Sequence, residues 1–154
     1  LLQGVGDGSQ PLISQYYGEE DRACVRAVRR LAYLTAVAVT VVCMITAAFS
    51  AMGLARLFGA SPEANAGVVR YLPFFLAPLL LLAFVRITTS YFYATEKNGL
   101  SYLLVYAEPV CTLLTLLLLP PLLKLTGVWL ATPIAQVVTF VVAWAAKRRV
   151  DAKN

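Results

Sequence analysis

Histidine is missing from this 154-residue chain, and charge is scarce. The first absence removes the usual proton shuttle at neutral pH and the commonest metal ligand. Cysteine offers no replacement. Cys24, Cys43 and Cys111 are odd in number, widely spaced and without a CxxC pair, so they read as reduced packing residues and no metal site is expected. No activated nucleophile, metal set or matched acid/base pair is visible, so no catalytic residue is assigned and an enzyme is not expected. Only 14% of the residues are charged, against about 25% in soluble domains.

Hydrocarbon takes the place of charge. The chain is 60% hydrophobic, above the roughly 45–50% of soluble proteins. No charged residue interrupts 31–55 or 125–146, and Glu108 is the only charge between Asn98 and Leu123. At about 1.5 Å per residue, about 20 residues cross a hydrocarbon core of roughly 30 Å. Complete spans are therefore expected near 31–54, 68–93, 100–123 and 125–146, with a further span over about 1–18 already under way where the sequence starts. The fold class is all-α, a polytopic transmembrane helix bundle. Leu1-Leu2-Gln3-Gly4 has no basic region and no cleavage-type apolar segment, so a signal peptide is not expected, and the abrupt apolar start reads as a portion of a longer membrane protein.

The basic residues alternate between the two sides. Arg22, Arg26, Arg29 and Arg30 fall in the first connection, Lys97 in the third, and Lys147, Arg148, Arg149 and Lys153 after the last span. The other side has Arg56, Arg70 at its edge, and Lys124. The positive-inside rule places the richer side, and with it the C-terminus, in the cytoplasm. This topology accounts for the net charge of +5, so no nucleic-acid partner is expected.

Against this background the stretch Gly4 to Gly18 is unusually polar. Its glycines lack the strand and the Lys-Ser/Thr ending of a phosphate loop. On a helix Asp7, Gln10, Ser14 and Tyr17 share one face. Polar groups are costly against lipid, so this face should border an aqueous cavity or a protein interior. Asp7, Gln10 and Ser14, with Gln136 from the last span, are the candidate substrate or cation ligands. Interhelical hydrogen bonding is the alternative role. Trp129, Thr132, Gln136 and Thr139 form a second polar stripe, and Cys43, Thr46, Ser50 and Gly53 a small-residue stripe that reads as a helix contact.

Gly6-x-Gly8-Ser9-Gln10-Pro11-Leu12-Ile13-Ser14-x-x-Tyr17-Gly18 resembles the second-helix motif of each lobe in multidrug and toxic compound extrusion (MATE) transporters, in particular the bacterial branch related to the DNA-damage-inducible F proteins. Gly127-Val128-Trp129-Leu130-Ala131-Thr132-Pro133-Ile134-Ala135 is similar to the start of that family's last core helix, and Ser90-Tyr91-Phe92-Tyr93-Ala94-Thr95 to its tenth. The resemblance implies twelve helices in two lobes, with residues 1–154 forming about five helices of a partial C-terminal lobe. It implies a partner N-terminal lobe, a bacterial inner membrane, and efflux of organic cations coupled to H⁺ or Na⁺, with no other cofactor. Two other readings compete: a flippase for lipid-linked saccharides, which would favour a strongly basic cavity, and a noncatalytic scaffold.

Arg86 and Glu108 lie on consecutive spans, eleven residues on either side of Lys97. An antiparallel hairpin places them at similar depth. A lone charge there costs about 2.5–3.5 kcal/mol on insertion scales, so a pair is expected, with a coupling role open to it. Snorkelling of Arg86 toward the headgroups is the alternative. Glu108 departs from the family pattern, in which a basic residue is commoner near this position.

Overall fold

A computed structural model describes residues 1–57, 59 and 61–152, the side chains of 51, 52, 54–57, 62–66, 68, 69 and 125 excepted. Lys153 and the side chain of Arg56, both counted above for orientation, lie outside the described residues. Every regular element among the described residues is an α-helix: α1 (Leu2–Gly18), α2 (Arg22–Leu57), α3 (Pro62–Leu76), α4 (Leu79–Ala94) and α5 (Asn98–Asp151).

Four segments are long and apolar enough to cross a membrane: Arg22–Ser50, Arg70–Ala94, Asn98–Lys124 and Thr126–Asp151. They match the four complete spans expected from the sequence. The expected span over 1–18 is a helix, but at 17 residues, and with Gln3, Asp7, Ser9 and Gln10 in its first half, it is not among those four.

Local chemistry sets the helix ends. Glu20 turns the chain between α1 and α2 with φ 58. Asp21 Oδ1 then accepts from the amides of Ala23 and Cys24, each at 3.0 Å, capping α2. The bond from the Cys24 amide, above all, holds the Asp21 carboxyl below its ordinary value. With this cap, and with arginine a good helix former, α2 starts at Arg22 rather than near Leu31.

The expected span 68–93 divides into α3 and α4. Pro78 has no N–H to offer the carbonyl four residues back, and the helix resumes where the Leu82 amide reaches the Pro78 carbonyl at 2.9 Å. Pro73 leaves α3 continuous.

α5 reverses at one residue. Lys124 adopts φ 53 and ψ −131, and the two arms on either side fold back on each other. Thr115 Oγ1 on the first arm donates to the Ala131 carbonyl on the second at 3.0 Å. At Gly127 any Cβ would run into the backbone of Leu119 and Pro120, so only glycine allows this approach.

α4 is the hub. It packs against α1, α2 and α5. Toward α2, Ala83 and Ile87 meet Ala32 and Ala36. Elsewhere Val85, Tyr91 and Phe92 share a core with Ile13, Val25, Leu104, Ala143 and Val150. Against α1 the fit is tight, since a Cβ at Gly6 would stand 2.6 Å from Ser90 Oγ. Small residues of this kind let membrane helices approach closely.

Among the described residues, two members of the small-residue stripe of α2, Thr46 and Gly53, lie open rather than packed. Thr46 is exposed and bonds its own Val42 carbonyl at 2.8 Å, and nothing lies within 4 Å of a Cβ at Gly53. Thr139 on the second arm of α5 is buried, and it too is satisfied within its own helix, by the Ala135 carbonyl at 2.9 Å.

Candidate functional site

Asp7, Gln10, Arg86, Glu108 and Gln136 fall in two adjoining places, with Arg86 of α4 belonging to both. On the α1 side is a cavity of about 300 Å³ bordered by Gln3, Asp7, Gln10, Arg86, Thr89, Ser90 and Tyr93. α1 turns Gly6, Ser9 and Ile13 into the packed interior, which leaves Asp7 and Gln10 at the margin of the bundle. Gln3 Nε2 donates to Asp7 Oδ1 at 3.1 Å, one turn away on the same helix. The Asp7 carboxylate is exposed, with no ion pair among the described residues.

On the α5 side Arg86 Nη2 stands 3.0 Å from Glu108 Oε2. The other carboxylate oxygen, Oε1, accepts from Gln136 Nε2 at 3.2 Å. Three elements thus converge on one carboxylate: α4 supplies the guanidinium, the first arm of α5 the carboxylate and the second arm the amide. The donors fix the amide orientation, since a flip would place Gln136 Oε1 against the carboxylate. That oxygen faces the other way and is buried without a hydrogen-bond partner. Gln136 is only 7% exposed. A groove of about 490 Å³ runs past Arg86 and Glu108 along the first arm of α5.

The sequence-expected residues therefore separate. Asp7 and Gln10 share a cavity, and Arg86 and Glu108 are in contact. Gln136, grouped with Asp7 and Gln10 on sequence, sits instead on the Glu108 side, because the reversal at Lys124 carries it back over the first arm. Ser14 is exposed and does not border the cavity.

Gln3, Thr89, Ser90 and Tyr93 were missed. Helical spacing held the signal, since Gln3 is one turn from Asp7, and Ser90 and Tyr93 continue the face of Arg86. Further along, the Trp129 ring stacks on Tyr71 at 5.1 Å and meets Phe75 edge-on at 5.4 Å, with its Nε1 buried and unpartnered.

No metal-binding cluster of three or more His, Cys, Asp or Glu occurs among the described residues. The chemistry available is therefore ionic and hydrogen-bonding: one carboxylate closed by protein donors, and one open carboxylate beside amides, hydroxyls and an aromatic ring.

A family model of MatE matches residues 1–118, most of the chain and all of both clusters except Gln136. The chain belongs to the MatE family. No curated protein matches it. Among solved structures, an inward-facing multidrug resistance MATE family transporter of the MOP superfamily superposes with a TM-score of 0.80 over 92% of this chain, at 19% identity. The MatE chain covers 33% of that transporter. Family membership and fold agree with the resemblance drawn from the Gly6–Gly18 motif, and this MatE chain is a multi-pass membrane protein.

Proposed function

We propose that this chain is most of the C-terminal lobe of a secondary active efflux transporter that exchanges organic cations for H⁺ or Na⁺. The observation that carries the reading is the open carboxylate of Asp7 in a polar cavity, engaged among the described residues only by the neutral amide of Gln3. In this reading α1 lies within the assembled transporter, where a carboxylate without a protein cation is a costly feature and suits a site that receives a cation. Gln10, Ser90 and Tyr93 add hydrogen-bonding and aromatic surface for a cationic organic ligand. In this reading the cavity opens toward an N-terminal lobe, the membrane is a bacterial inner membrane, and the C-terminus is cytoplasmic. Arg86, the cavity's only basic residue, is committed to Glu108, which favours antiport over a lipid-linked saccharide flippase.

The test is Asp7→Asn in the full-length protein, expressed in cells stripped of their own pumps and assayed by ethidium efflux. Membrane abundance should be unchanged and the efflux rate should fall about tenfold, the equivalent of about 1.4 kcal/mol. Collapsing the H⁺ and the Na⁺ gradients separately identifies the coupling ion. Wild-type efflux by Asp7→Asn with its ion dependence intact would overturn the assignment.

A further inference from the structure

We propose that a basic pocket where the α1–α2 turn meets the C-terminal end of α5 holds the phosphate of an anionic phospholipid. The pocket encloses about 310 Å³ and is bordered by Arg22, Val25, Arg26, Arg29, Tyr91 and Asp151. It contains three arginines against one carboxylate. Arg29 is fixed, with its Nη1 2.9 Å from Asp151 Oδ1 and its guanidinium 4.7 Å above the Tyr91 ring. That pair cancels itself and leaves the charges of Arg22 and Arg26, the latter within electrostatic reach of the Asp21 carboxylate, which the Ala23 and Cys24 amides already occupy. Arg22 rests on Tyr17, 4.6 Å from the ring centroid. Arg26 is exposed and forms no ion pair among the described residues. Two arginines bordering one cavity are suited to a phosphate, whose oxygens match the planar fork of a guanidinium.

Depth and the neighbouring surface select a lipid over a soluble anion. Arg22 opens the first spanning segment and Asp151 closes the last, so the pocket lies at the level where a membrane meets water. One turn below Arg26 is Arg30, and the same stripe of α2 continues through Leu34, Val37 and Val41, which are 58%, 46% and 40% exposed. A headgroup seated among the arginines would lay its acyl chain along this apolar ridge. Free phosphate could use the pocket but gains nothing from the ridge. Basic pockets between spanning helices bind anionic headgroups in this way, each arginine contributing roughly fivefold in affinity.

The experiment uses the full-length protein, delipidated in neutral detergent and titrated with phosphatidylglycerol, phosphatidylcholine or sodium phosphate. Native mass spectrometry reads the adducts and a thermal melt reads stabilisation. Phosphatidylglycerol should form a retained adduct and raise Tm, while phosphatidylcholine should do neither. Arg22→Gln/Arg26→Gln should weaken phosphatidylglycerol binding on the order of twentyfold and leave the lipid-free Tm close to wild type. If that variant is not recovered folded, the salt dependence of wild-type binding serves instead, since a charge-held headgroup loses affinity steeply as salt rises. Equal affinity for both lipids, unchanged binding by the double variant, or salt-insensitive binding would each overturn the proposal. Sodium phosphate giving the full thermal shift would overturn the lipid assignment in favour of a soluble anion.

Discussion

Asp7 and Glu108 are two carboxylates on helices of one small bundle, and their surroundings are opposite. Glu108 has a protein donor on each oxygen, a guanidinium at 3.0 Å and an amide at 3.2 Å, drawn from two other helical segments. Asp7 has one amide, from its own helix, and otherwise faces an open cavity. The same chemical group is thus used to join helices in one place and left open to a cavity in the other. The distinction lies in whether the charge is already answered by the protein.

Arg86→Leu tests the closed site most severely, because it strands Glu108. Loss of one partner of a fully buried pair costs about 3–5 kcal/mol. Here both side chains keep some exposure, 36% and 22%, so the expected loss is about 1–2 kcal/mol. Glu108→Leu should behave alike, and the double variant should melt closer to wild type than either single one. Strictly additive losses in detergent melts would mean that the two residues do not interact. Gln136→Leu comes next. It removes a donor to Glu108, but it also deletes the buried, unpartnered Oε1, so the net cost should stay below about 1 kcal/mol. A loss as large as that of Arg86→Leu would make the amide an equal partner of the guanidinium.

Asp7→Asn should shift stability by less than about 0.5 kcal/mol, the range of substitutions away from packed or paired positions. A strong destabilisation would show Asp7 to be structural, and the contrast with Glu108 would collapse.

Asp21 supplies the mildest test, as a carboxylate answered by backbone amides alone. Its folded-state value lies below the ordinary 3.8. The cap therefore stabilises α2 in full above pH 3.8 and loses that contribution as pH falls through the depressed folded value. Asp21→Asn keeps a capping oxygen and should flatten this acid-side slope with little change at neutral pH. An unchanged slope in acid titrations of helicity would remove Asp21 from the account.

Much of this architecture could be read before any coordinates, for definite reasons. The long apolar runs imply spans because backbone polar groups in lipid require helices. The Arg86–Glu108 contact follows from their equal distance to Lys97 in a tight hairpin. Where helices break is less legible. Pro73, Pro78, Pro109 and Pro133 all lack the same N–H, yet Pro78 stands at a break and the other three lie inside continuous helix. One missing hydrogen bond bends or splits a helix according to what its neighbours hold in place, and a linear pattern does not contain that. Gln136 shows the same limit. Glu108 lies sixteen residues before Lys124 and Gln136 twelve after it, so no symmetry argument pairs them. Their meeting depends on a stagger of one helical turn between the arms. Ser14 lies on the expected face of α1, but where the cavity ends along that face depends on how α4 crosses it.

The reversal at Lys124 has a mechanical consequence. Two spanning arms are joined there by one residue outside helical geometry, with the Gly127 backbone pressed against Leu119. A joint that short has no slack to absorb displacement. A displacement of one of these two spans at that end is carried to the other, and the Glu108–Gln136 bond ties them a second time.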